Sequence, residues 1–156
     1  MKISKIPNLV AQFRRRDDGG AMVEACLTLP LLFMLVLGAA EFSRVAYTSL
    51  EVVSAAKAGV AYGAQSGGHS ADTDGITLAA TTDAANIPNL TVATPTSSFV
   101  CSNGDPSTGS NTDCSTSHII QTLTVQTSAQ LNPLIHVPGT PGTYTITGSA
   151  SQTCLQ

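Results

Sequence analysis

The sequence predicts an α+β fold, a long N-terminal membrane-spanning helix with a small antiparallel β-sheet packed on its exported half. Three observations predict it. Cations cluster ahead of an uncharged apolar run near the N-terminus. A helical pattern of small residues then continues well beyond that run. The remainder of the 156 residues alternates hydroxyl and aliphatic side chains between turn-rich stretches. With 4% aromatic and 11% charged residues and no Trp, the chain has few large side chains to fill a core. A sheet so thinly supplied is expected to lean on a disulfide or a partner.

The net charge of −3 is unevenly spread. Lys2, Lys5, Arg14, Arg15 and Arg16 precede the apolar run, and no Lys or Arg follows Lys57. By the positive-inside rule the N-terminus stays cytoplasmic and the C-terminal part crosses. The acidic remainder, free of Lys and Arg, argues against nucleic-acid binding, which needs a basic footprint.

Residues 1–19 form a short basic leader in which Pro7 limits helix formation. Residues 20–64 are the long helix, with about 21–40 in the membrane. Ala25 to Ala40 is uncharged, and extension back through Ala21 reaches the roughly 20 residues that a ~30 Å hydrocarbon layer requires. That extension takes in Glu24. A carboxylate there costs roughly 2.5–3.5 kcal/mol on insertion scales and calls for a partner cation. Pro30 removes one backbone hydrogen bond inside the helix.

Past Ala40 the period of three and four continues through Phe42, Val45, Ser49, Val52, Ala56, Gly59 and Gly63. Glu41 and Arg44, spaced i,i+3, share a face and can pair. The small residues from Ala55 to Ala64 let another element approach closely.

Residues 65–156 are the exported, β-rich part. Gln65 to Asp74 reads as a turn-rich break, Ile76 to Asn86 as a short helix and Asn89 to Thr94 as a short strand. Ser97 to Ser117 reads as a loop bracketed by Cys101 and Cys114. Ile119 to Ala129 alternates most clearly and is the strongest strand. Leu131 to Gly142, with three prolines, is a loop, and Thr143 to Ser151 is a second strand with Tyr144, Ile146 and Gly148 on one face. About three antiparallel strands result.

Cysteine use agrees with export. In an oxidising compartment Cys101 and Cys114 are expected to form a disulfide worth roughly 3 kcal/mol. Cys154 is left to displace either of them or to pair between subunits. Cys26 follows a charged residue and precedes the apolar run, so it reads as a small apolar thiol rather than a lipidation site. His69, His118 and His136 are not at metal-ligand spacing. Asp72-Thr73-Asp74-Gly75 opens like a calcium loop but lacks the third ligand and the closing Glu. No nucleophile–base pair, phosphate loop or metal motif is present, so the protein reads as non-enzymatic and without a cofactor.

The stretch Gly19 to Ala64 resembles TadE-like proteins, minor pseudopilins of tight-adherence (Flp, type IVc) pili. The resemblance rests on an ordered set: the leader RRRDDG, the AMVE stretch, the run LTLPLLFMLVLG, EFSR at Glu41 to Arg44, and AAKAGVAY at Ala55 to Tyr62. It covers under a third of the chain. It implies cleavage by a membrane-embedded prepilin peptidase between Gly19 and Gly20, which places Glu24 fifth in the mature chain. It also implies that Glu24 pairs with the new N-terminal amine of a neighbouring subunit. The implied partners are other pilin or pseudopilin subunits, the peptidase, an inner-membrane assembly platform and membrane lipid. The implied location is the bacterial cytoplasmic membrane, with the C-terminal part periplasmic or extracellular. At Ala25 the sequence departs from the family, which usually has an aromatic there. Two other readings remain: a small adhesin released by an ordinary signal peptide after Gly38-Ala39-Ala40, and a binding module on an uncleaved anchor.

Overall fold

The computed structural model describes residues 18–110, 112–115, 117–134 and 142–154. Residues 1–17 of the basic leader, His136, Pro138 and Pro141 lie outside them. The chain divides between Ala40 and Glu41 into two units. One helix, α1 (Asp18–Gly63), contributes to both.

Among the described residues, the first unit consists of the N-terminal part of α1. Every residue from Gly19 to Ala40 is exposed, including Leu27 and Met34 at 74% each. The segment is long and apolar enough to cross a membrane. Pro30 leaves the Cys26 carbonyl without its helical donor. Thr28 follows the opposite habit, its hydroxyl bonding back to the Glu24 carbonyl at 2.9 Å.

In the second unit the continuation of α1 packs on a five-stranded antiparallel sheet. Two short helices, α2 (Gly67–Ala71) and α3 (Thr73–Asp83), follow it. The strands are β1 (Thr91–Val92), β2 (Thr96–Cys101), β3 (Pro106–Ser107), β4 (Ile119–Leu131) and β5 (Tyr144–Cys154). β4 is central. It pairs with β5 from Gln121↔Cys154 to Leu131↔Tyr144. On its other side it pairs with β2 (Thr96↔Thr124 to Cys101↔Ile119) and then with β1 at Thr127 and Ser128. β3 pairs on the far side of β2.

The period of two in β4 sets the core. Leu123, Val125, Thr127 and Ala129 point inward and are at most 2% exposed, while Gln126 and Gln130 face out. Above them lie Val52, Ala55, Ala56 and Val60 of α1 and Ala64 just past its end, with Ile76 and Ala80 of α3. Small residues allow these close approaches. A Cβ at Gly59 would stand 3.2 Å from the Ile76 carbonyl oxygen, so α3 lies against α1 at that point. A Cβ at Gly148 would stand 2.9 Å from the Val52 carbonyl group, so α1 rests directly on β5. The Thr127 hydroxyl, buried beside it, donates to the Val52 carbonyl at 2.6 Å.

Three sequence expectations change. Five strands stand where about three were expected. The stretch Ser97–Ser117, expected to be a loop, contains most of β2 and all of β3. Thr96, Ser97 and Ser98 are exposed, so no apolar alternation marks the strand. Its pairing comes from six ladder positions on β4 instead. Gln65–Asp74, expected to be a break, contains α2, whose N-cap Ser66 accepts the His69 backbone N–H at 3.3 Å. The glycines that suggested a turn begin that helix.

Cys101 and Cys114 are joined as a disulfide with Cα atoms 5.7 Å apart. The bond ties the end of β2 to the approach to β4, and Ile119 and Phe99 pack against it. Replacing Cys114 with Ser is expected to cost about 3 kcal/mol by releasing this loop in the unfolded chain. The check is thermal unfolding of the full-length protein in detergent. An unchanged Tm would show that the bridge adds nothing to stability.

Candidate assembly site

The sequence-predicted residues fall in both units. Gly19 and Gly20 open α1, and a Cβ on either would meet nothing within 4 Å. Both residues are exposed. Glu24 follows on the exposed helix within the apolar segment. Among the described residues no side chain bonds to its carboxylate. The site can therefore accept a cation from outside the chain, but α1 itself supplies none.

Glu41 and Arg44 lie in the second unit, one helical turn apart. The Arg44 guanidinium donates to Glu41 Oε2 at 3.3 Å. The same oxygen accepts the Leu134 backbone N–H at 3.3 Å. Glu41 thus holds the segment that leaves β4, a contact that the i,i+3 spacing alone did not suggest. Its Oε1 is buried without a hydrogen-bond partner among the described residues.

Cys154 is free and 5% exposed. Its thiol approaches the Gly63 carbonyl at 3.9 Å, and burial pushes its pKa up. It sits opposite Gln121 on β5, whereas Cys101 sits opposite Ile119 on β2, across the full width of β4. Two strand spacings amount to about 10 Å, beyond the ~7 Å Cα separation that a disulfide can span. At that separation Cys154 does not reach Cys101 in this arrangement.

A polar cluster closes the far end of the α1–α3 packing. The Asp72 carboxylate accepts the Gly75 N–H at 3.0 Å and the Tyr62 hydroxyl at 2.8 Å. It caps α3, and its position at a helix N-terminus suits its charge. The Gly75 N–H, followed by the Tyr62 hydroxyl, holds the Asp72 pKa below the usual carboxylate range. The same hydrogen bond raises the Tyr62 pKa. His69 stands edge-on to the Tyr62 ring, with centroids 4.8 Å apart. A lowered Asp72 pKa stabilises the fold above the free-carboxylate range, and that contribution disappears as pH falls through the lowered value. Asp72→Ala should therefore lower the Tm at pH 7, and the gap to the wild type should close on acidification. A gap independent of pH would show that the carboxylate's charge contributes nothing. The spacing of Tyr62 along the helix did not suggest Asp72 as its partner, which lies ten residues away.

Among the described residues no group of three or more His, Cys, Asp or Glu side chains is placed to hold a metal ion. The family model described as TadE-like protein matches residues 19–61. That span begins at the glycine pair, includes Glu24, Glu41 and Arg44, and ends two residues before the end of α1. The match is consistent with a TadE-like protein of Tad pilus systems. Searches of curated proteins and of solved structures returned no match.

Proposed function

With residues 19–61 TadE-like, we propose that the protein is a minor pseudopilin of a Tad (Flp, type IVc) pilus, a structural assembly subunit rather than an enzyme. The observation that carries this reading is that the matched span takes in both the glycine pair and Glu24 on one exposed apolar helix. A prepilin peptidase cuts between Gly19 and Gly20. The cut frees an amine four residues before Glu24. That amine, on a neighbouring subunit, is the cation that an intramembrane carboxylate demands. Pairing in the low-dielectric layer is strong because water does not compete with it.

The subunit stays in the cytoplasmic membrane through residues 21–40 until the assembly platform draws it toward the pilus. Its N-terminus faces the cytoplasm and the sheet faces the periplasm or the exterior. The Cys101–Cys114 bridge suits that oxidising side. Glu41 and Arg44 serve helix pairing at the foot of the second unit. Their mutual contact leaves Arg44 partly exposed, with 39% of its side chain accessible to a neighbour.

The test is deletion of the gene in its host followed by complementation. Loss of surface pili, restored by the intact gene, is the expected result. Normal piliation in the deletion strain would contradict the role.

A further inference from the structure

One end of the β4–β5 pair lies beside the residue at which the apolar run ends. Leu134, just past β4, gives its backbone N–H to Glu41 Oε2 at 3.3 Å. Glu41 is the residue that follows Ala40. Along a helix the Cα–Cβ bonds tilt toward the N-terminus. The Glu41 carboxylate therefore leans back toward the apolar run and holds Leu134 there. Val52 of α1 lies over Gly148 and Gly63 lies by Cys154, so α1 and β5 run in the same direction. From Val52 back to Glu41 the helix descends about 16 Å. From Gly148 back to Tyr144 the strand descends about 13 Å. Tyr144 pairs with Leu131, and just beyond them the Thr143 hydroxyl donates to the Asn132 side-chain oxygen at 3.2 Å. The last rungs of the sheet thus stand level with Glu41. Exposed apolar side chains gather at this level: Phe42 at 76%, Leu134 at 66% and Tyr144 at 37%. No Asp, Glu, Lys or Arg follows Asp113, so this end of the sheet carries no charge. The charges nearest to it, Glu41 and Arg44, neutralise each other.

We propose that this end of the β4–β5 pair, led by Leu134, is a lipid-binding surface that rests in the headgroup layer of the membrane. The proposal rests on the reading that residues 21–40 span the bilayer. Lipid is the occupant because the surface continues the span. The headgroup layer is about 5–7 Å deep on each side of the hydrocarbon. The residue after Ala40 emerges into it whichever way the second unit leans, and Leu134 is tied to that residue. An uncharged surface of aliphatic and aromatic side chains, with a tyrosine among them, suits the boundary between headgroups and acyl chains. Drawing the subunit out of the bilayer breaks the contact, so Leu134 adds to the hold of the membrane on the subunit.

The chain has no Trp, so one introduced indole reports alone. Full-length Leu134→Trp, Phe33→Trp and Val100→Trp are each reconstituted in phosphatidylcholine vesicles, with and without bromine on the upper acyl carbons. Bromine quenches an indole that it touches. Phe33 is exposed within the apolar run. Val100 pairs with Ile120, about 35 Å along β4 from Leu131. All three positions are exposed, and matching circular dichroism shows that each variant keeps the fold. The expected result is a bromine-dependent loss of emission from Leu134→Trp and Phe33→Trp and none from Val100→Trp. Adding Leu134→Asp to a Tyr144→Trp reporter should reduce the loss seen with Tyr144→Trp alone. Loss from Phe33→Trp without loss from Leu134→Trp would overturn the proposal and leave the span standing. No loss from either would remove the span and the proposal with it. Equal loss from Val100→Trp would show that the sheet lies along the bilayer, and shielding of Leu134→Trp from aqueous acrylamide without quenching by bromine would assign the surface to a protein contact; both would overturn the proposal.

Discussion

Glu24→Ala should leave the protein in the membrane and strip the cell of pili. Removing the carboxylate relieves an insertion cost of roughly 2.5–3.5 kcal/mol, so membrane integration is preserved or improved. Its loss leaves the amine of the neighbouring subunit without a counter-charge. Breaking a buried ion pair by removing one partner costs about 3–5 kcal/mol, equivalent to more than a hundredfold in subunit affinity. Fractionation and pilus counts on the same strain separate the two effects. A mutant that is well inserted and normally piliated would remove the pairing argument.

Gly148→Val carries the largest expected effect on stability. A Cβ there meets the Val52 carbonyl group and the Val53 nitrogen at 2.9 Å. These are backbone atoms of a helix, so relief requires α1 to lift from the sheet as a unit. Lifting it also stretches the bond from Thr127 to the Val52 carbonyl. Overpacking of this kind costs about 1–3 kcal/mol, and two further methyl groups place the variant at the upper end. The corresponding fall in Tm is roughly ten degrees for a domain near this size. Melting of purified full-length protein followed by circular dichroism measures it. A Tm within a degree of the wild type would show that α1 does not rest on β5.

The sequence revealed those parts of the fold that one periodicity governs. The apolar run and the steps through Val52, Ala56 and Gly59 mark α1. The alternation of Leu123, Val125 and Thr127 marks β4. β2 was hidden because its first three residues are all exposed and polar, so its strand character comes from β4 and not from itself. α2 was hidden by Gly67 and Gly68, which argue for a turn until Ser66 caps them. At the candidate site, the i,i+3 spacing placed Glu41 beside Arg44. It was silent about Leu134, which reaches Glu41 from 93 residues away. Similarly, Asp72 was legible only as a fragment of a calcium loop, and its work as a cap and as the acceptor for Tyr62 required the packed α1 and α3. Local spacing along one element is visible in a sequence. Contacts made when the chain returns on itself are not.

The small-residue stretch was legible in kind but not in partner. Ala55, Ala56, Gly59 and Gly63 invited either a helix or a sheet. The structure uses the face for both: Gly59 meets α3, and Val52 on the same face meets β5. A stretch free of large side chains thus lets one helix serve two layers with little apolar volume.

The central claim is that the working subunit begins at a trimmed helix end with one carboxylate close behind it. The most direct measurement is the N-terminal residue of protein extracted from membranes of cells with an active prepilin peptidase. The account predicts Gly20. A chain that still carries residues 1–19, or one that begins at Glu41, would contradict it.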